Sequence, residues 1–140
     1  MDRRRPRGSR HKPAEPVFHV FMAHTDAGAD VESLTPLHWV GIVAATVTGI
    51  AHVVLGVQSG GTFMVLFLFA TLGFGAGVAA VVVGYRRRLV YALGIPFTAG
   101  QIVLWWALND LPPIPTSHAI DKVAQVVLIA VLAVLLYRES

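Results

Sequence analysis

Four long apolar stretches follow one another after residue 36, and between His38 and Tyr137 only six side chains carry a charge. Three of the six are the run Arg86, Arg87 and Arg88, which separates the second stretch from the third. Helices without a polar face need an enclosing shell in water, and a chain of 140 residues is too short to build one. A bilayer removes that need, because its hydrocarbon is itself the apolar surrounding. The chain is therefore predicted to be an all-α membrane protein: four transmembrane helices in an up-down bundle, with both termini cytoplasmic.

The predicted spans are 37–57, 62–85, 89–108 and 119–137. Each of the first three has about 20 or more residues, enough at about 1.5 Å per residue to cross roughly 30 Å of hydrocarbon. The charge-free part of the fourth, from Val123 to Tyr137, would rise only about 22 Å. It spans if Asp121 and Lys122 form its first turn at the interface, with the lysine stem turned outward. Ser33, Thr35 and Pro36 make a helix start before the first span, and Gln58, Ser59, Gly60 and Gly61 make a tight turn after it. Pro112, Pro113 and Pro115 predict an extended link before the fourth.

Orientation follows from the basic residues. An isoelectric point of 9.8 could suggest nucleic acid as a partner, but six of the eleven Lys and Arg lie in the first twelve positions and three more form the arginine run. With four spans, ten of the eleven fall on one side and Lys122 alone on the other. Without residues 1–21 the ratio is still four to one, so that side is assigned to the cytoplasm. Trp39, Tyr85, Tyr91 and Tyr137 are expected as aromatic anchors at the inner boundary, and Trp105 and Trp106 at the outer one. The partners expected are the lipid bilayer and either other membrane subunits or further copies of the chain, not nucleic acid.

Residues 1–36 are polar, with Pro6, Pro13 and Pro16, and are expected to be largely disordered. They are basic before Met22 and acidic after it, at Asp26, Asp30 and Glu32. Met22 is thus an alternative start, with residues 1–21 an extension of the gene model. Otherwise the basic arm is a solvated tail or a patch for anionic lipid head groups. The chain has no cysteine, which removes disulfides, thiolate metal sites and cysteine nucleophiles.

Within the spans, small and polar residues recur at helical spacing. The first carries His38, Gly41, Ala45, Thr48, Gly49, His52 and Gly56 on one face; the second carries Ala70, Gly73, Gly77, Ala80 and Gly84. Gly73 and Gly77 form a small-xxx-small pair, and this face is expected to meet the face of Gly41, Ala45 and Gly49. His38 and His52 stand fourteen apart, a spacing suited to two stacked haems, but the other spans offer no facing histidine. His118, placed in the outer loop, could serve at most one site. No cofactor or metal is expected, and no catalytic set, phosphate loop or paired intramembrane carboxylate appears. The remaining signal is polar: His52, Gln101 and Gln125 share the outer half of the bilayer, with Asp121 close above Gln125 on the same helix face. They are expected to converge, either as interhelical hydrogen-bond glue or as a binding or proton site.

The segment from Leu37 to Ile42 (LHWVGI), the runs 85–96 (YRRRLVYALGIP) and 101–105 (QIVLW), and the run 121–125 (DKVAQ) resemble a family of small four-helix membrane proteins of halophilic archaea whose function is unknown. The resemblance covers residues 34–138. It implies a plasma-membrane location and a four-span fold, and carries over no catalytic residue. The function expected is non-enzymatic, as an accessory or assembly subunit. The alternatives are a small transporter or proton-handling protein built on the polar cluster and, third, a haem or quinone redox protein.

Topology is directly testable. A reporter fused after Ser140 is expected to be active only in its cytoplasmic form, and one inserted near Pro113 only in its external form. Neutralising Arg86, Arg87 and Arg88 together is expected to weaken that preference. Both reporters on one side would remove the fourth span.

Overall fold

The computed structural model describes residues 29–109 and 113–140. They form four α-helices: α1 (Pro36–Ser59), α2 (Gly61–Val82), α3 (Arg87–Leu108) and α4 (Thr116–Arg138). All four are long and apolar enough to cross a membrane. The helix ends follow local chemistry. Pro36 occupies the first turn of α1, and the His38 ring reaches back to accept the Thr35 backbone N–H at 3.0 Å. Between α1 and α2 a single residue suffices, because Gly60 and Gly61 both take positive φ (65° and 52°). Helix α2 stops at Val82, three residues short of the predicted end, where the chain turns through Gly84 and a left-handed Arg86 (φ 41°). Helix α4 starts at Thr116 behind the extended Pro115, which brings His118 into its first turn rather than the loop.

Consecutive helices run antiparallel, and their spatial order is α2, α1, α4, α3. Helix α1 packs along α2 and α4, α4 along α3, and the ring is thin between α2 and α3. Burial follows this order. Nine residues of α1 and six of α4 are buried, against two each in α2 and α3, so the core is the α1–α4 seam and the outer pair is largely exposed.

The glycine pairing differs from the expectation. Helix α2 does lie closest to α1, but not through Gly73 and Gly77. The tight approach is at Gly56, where a Cβ would stand 3.0 Å from the Phe67 Cβ, while a Cβ at Gly49 would reach Phe74 at an ordinary 3.8 Å. Thr71 stitches the same seam by donating to the Gly49 carbonyl at 3.2 Å. Gly41 faces α4, against Val131. Gly73 faces α3 and lies under the Phe97 ring, and a Cβ at Gly77 would meet nothing within 4 Å. The stripe on α2 therefore looks across the thin side of the ring, where one aromatic crosses to Gly73 and nothing crosses to Gly77. Ala45 is buried in the core as expected for a packing residue.

The polar lead-in is also more ordered than expected where it is described. Val31–Ser33 form a 3-10 turn, the Asp30 backbone N–H donates to the Val82 carbonyl at 2.9 Å, and Arg87 donates to the Ser33 hydroxyl at 2.6 Å and lies 3.6 Å from the Asp30 carboxylate. One arginine of the run thus fastens this segment to the α2–α3 turn. Residues 1–28, including Met22 and the basic arm, lie outside the described residues.

Substitutions at two glycines should separate these contacts. Gly77→Ala is expected to be neutral or to stabilise by up to about 1 kcal/mol, since alanine favours the helix and the space is open. Gly56→Leu is expected to cost more than about 2 kcal/mol by forcing α1 and α2 apart. Thermal unfolding in detergent measures both, and equal losses would contradict the packing described.

Candidate functional site: a polar clamp and a lateral cleft

Two features occupy the interior. The first is a polar network between α1 and α4, in the half of the bundle away from the arginine run. Thr48 and Asp121 face each other across the seam because their helices are antiparallel and α1 presents a small-residue face there. The Thr48 hydroxyl donates to Asp121 Oδ1, and Lys122 Nζ lies 2.8 Å from Asp121 Oδ2 and donates to Gln125 Oε1 at 2.9 Å. Gln125 Nε2 donates to Asp121 Oδ2 at 3.3 Å, one helical turn away. His52 Nδ1 lies 2.8 Å from the Thr48 carbonyl and 3.5 Å from Asp121 Oδ1. A carbonyl can only accept, so this ring nitrogen carries the proton. Thr48, His52, Asp121 and Gln125 are all buried.

Such a carboxylate would be very costly in hydrocarbon without partners. Here hydroxyl, ammonium and amide groups supply them. Lys122 does not turn outward as expected: its side chain is mostly buried, held by Asp121 and by the Trp105 ring 5.4 Å away. Trp105 in turn donates to His118 at 2.8 Å, which ties α3 to the start of α4. Asp121 thus sits in the second turn of α4, inside the bundle rather than at the interface.

At the opposite end a second histidine links α1 to α3. His38 Nδ1 accepts from the Thr35 backbone, so its Nε2–H donates to the Tyr91 hydroxyl at 2.8 Å. Tyr91, expected as an interfacial anchor, is fully buried and serves this bond, whereas Trp39, Tyr85, Trp106 and Tyr137 remain exposed. His38 is thereby engaged at both ring nitrogens, and His52 packs edge-on against Phe67 and Phe74. Among the described residues, no three His, Asp or Glu side chains converge on a point where they could hold a metal.

The second feature lies where the ring of helices is thin. A cleft of about 500 Å³ opens between α2 and α3, walled by Gly77, Ala80 and Val81 on one side and Leu93, Gly94 and Phe97 on the other. Its floor is Ala45, Leu128 and Leu132, and His38 and Tyr91 close the end near the arginine run. Phe97 lies on Gly73 and edge-on to Phe74 (ring centroids 5.3 Å apart), so the other end is shut by aromatic rings.

Of the four residues expected to converge, the structure brings His52, Asp121 and Gln125 together and leaves Gln101 apart. With Gly94 against Leu132 and Trp105 against His118, Gln101 falls level with Gln125, yet its buried side-chain oxygen and nitrogen have no hydrogen-bond partner. The nearby Thr98 hydroxyl is equally unpartnered. Thr48 and Lys122 are functional members of the network that the depth argument left out. Thr48 was visible on the stripe of α1, but a hydroxyl there reads as readily as packing.

The network and the orphaned amide should behave oppositely on substitution. Asp121→Leu is expected to cost about 2–5 kcal/mol, because Thr48, Lys122 and Gln125 lose their common acceptor. Gln101→Leu is expected to be neutral or stabilising, since it removes buried groups without partners. Unfolding in detergent with helicity as the signal compares the two, and a larger loss for Gln101→Leu would overturn the assignment of the clamp.

No curated protein and no solved structure matches the chain. A family model described as "Family of unknown function (DUF7475)" matches residues 25–137, a stretch that takes in the four helices up to the last residue of α4, with the clamp and the cleft, and the chain belongs to that family.

Proposed function

We propose that the chain is a non-enzymatic integral protein of the plasma membrane, with both termini cytoplasmic, that takes a lipophilic molecule from the bilayer into the cleft between α2 and α3. In this role it is an accessory component, which holds or presents a molecule and does not transform it. The cleft carries the proposal. Its volume falls within the roughly 300–1,000 Å³ of small-molecule sites, its walls are almost wholly apolar, and it opens sideways toward lipid. The polar network supports a binding role over a catalytic one. The Thr48 hydroxyl, the Asp121 carboxylate and the Gln125 amide are committed to one another inside the α1–α4 seam, outside the cleft. The same satisfaction of donors and acceptors favours glue over a transport site.

The test uses the full chain in phosphatidylcholine nanodiscs and tritiated 2-methylnaphthalene as an apolar probe, with empty discs subtracted. Saturable retention near one probe per chain is expected. Gly77→Trp, which fills the cleft, is expected to abolish it, while Leu66→Trp on the exposed face of α2 leaves it intact. Retention that survives Gly77→Trp, or none in the wild-type protein, would reject the cleft as a binding site.

A further inference from the structure

Thr98 is the one cleft-lining residue with a hydroxyl that nothing satisfies. It is 1% exposed, and its oxygen has no hydrogen-bond partner. A threonine inside a helix ordinarily donates to the carbonyl one turn back. Thr46 does so to Ile42 at 2.8 Å, and Thr71 to Phe67 at 3.0 Å, but Thr98 does not. One turn further along α3, both polar atoms of the Gln101 side chain are also buried and unpartnered. Three unsatisfied polar atoms within one turn are costly in a medium without water. At the other end of the cleft His38 and Tyr91 satisfy each other, so the unmet demand is confined to the Thr98 end.

On the reading of the cleft proposed above, we infer that its ligand is a neutral lipophile bearing a carbonyl oxygen, which accepts from the Thr98 hydroxyl. Depth separates this ligand from ordinary bilayer lipid. Thr98 lies eleven residues into α3 from Arg87, about 16 Å along the helix and near the middle of a hydrocarbon core about 30 Å thick. The ester or ether oxygens of a bilayer-forming lipid sit at the interface, so a molecule that meets Thr98 is dissolved wholly in the hydrocarbon. Charge is excluded because no ionised side chain lines the cleft. Shape narrows the class further: with hydrogen or methyl as the only side chains at Ala76, Gly77 and Ala80, α2 presents a flat wall opposite Leu93 and Phe97. A planar ring carbonyl of the quinone or cyclic ketone kind fits both the wall and the Thr98 hydroxyl.

The experiment compares tritiated 2-methyl-1,4-naphthoquinone with 2-methylnaphthalene, the same ring without oxygens, on the full chain in nanodiscs. Retention is expressed relative to partition into empty discs. The chain has no thiol for the quinone to alkylate. Wild-type protein is expected to hold the quinone roughly three- to tenfold more tightly than the hydrocarbon, the effect of one added hydrogen bond. Thr98→Val, which keeps the shape, is expected to abolish that preference, and Gln101→Leu to leave it in place, without either altering hydrocarbon binding. Equal retention of the two probes by the wild-type protein, or a preference that persists in Thr98→Val, overturns the carbonyl inference and leaves the cleft standing. Absence of hydrocarbon binding, by contrast, removes the cleft itself.

Discussion

The carboxylate of Asp121 is the constraint around which the interior is arranged. An ionised oxygen pair cannot be left bare in hydrocarbon, and water is not at hand to solvate it. Three side chains are accordingly drawn to it: Thr48 from α1, and Lys122 and Gln125 from α4. His52 is set beside it by its own bond to the Thr48 carbonyl. Because Thr48 is on a different helix from Asp121, the bond fixes the register of α1 against α4. The small residues of α1 then allow the close approach that such a bond demands, with Gly41 meeting Val131 two turns further along. Association of helices in lipid lacks the hydrophobic drive available in water, so a bond of this kind matters more for register than its modest net energy suggests.

A ring anchored on one seam can be loose on the opposite one. Helices α2 and α3 are held to α1 and α4 respectively, and to each other chiefly at the level of Phe97 and Gly73. The cleft is what remains when two helices with small facing residues are each tied to a different partner. Its polarity is uneven along its length, satisfied at His38 and Tyr91 and unsatisfied at Thr98. A cavity formed only by imperfect packing would have no reason to keep a hydroxyl that abandons its own helix backbone.

Much of the fold was legible in the chain because bilayer thickness, charge placement and turn residues each act locally. Gly60 with Gly61, Pro36 and the arginine run mark three helix ends without any knowledge of tertiary contacts. The convergence of His52, Asp121 and Gln125 was legible from depth alone, since antiparallel helices of known ends bring equal depths together. Rotation about each helix axis was not. The stripe of Gly73 and Gly77 could face either neighbour, and a small residue gives no sign of which; the answer depends on where Phe97 lands. Tyr91 shows the same ambiguity, because a tyrosine near an interface can point its hydroxyl to head groups or inward to a buried partner such as His38. Thr98 was invisible to sequence reasoning, as nothing in composition tells whether a hydroxyl will turn back to its own helix.

Two polar contacts of α1 have a bearing on the order of assembly. When the α1–α2 hairpin first enters the bilayer, His38 and Thr48 both point toward places where no helix yet stands. Tyr91 arrives with α3 and meets the former; Asp121 arrives with α4 and meets the latter. The first hairpin is thus left polar on one side at two depths, and each successive helix completes one of them. The polar face of α1 is therefore complete only when α3 and α4 are both in place.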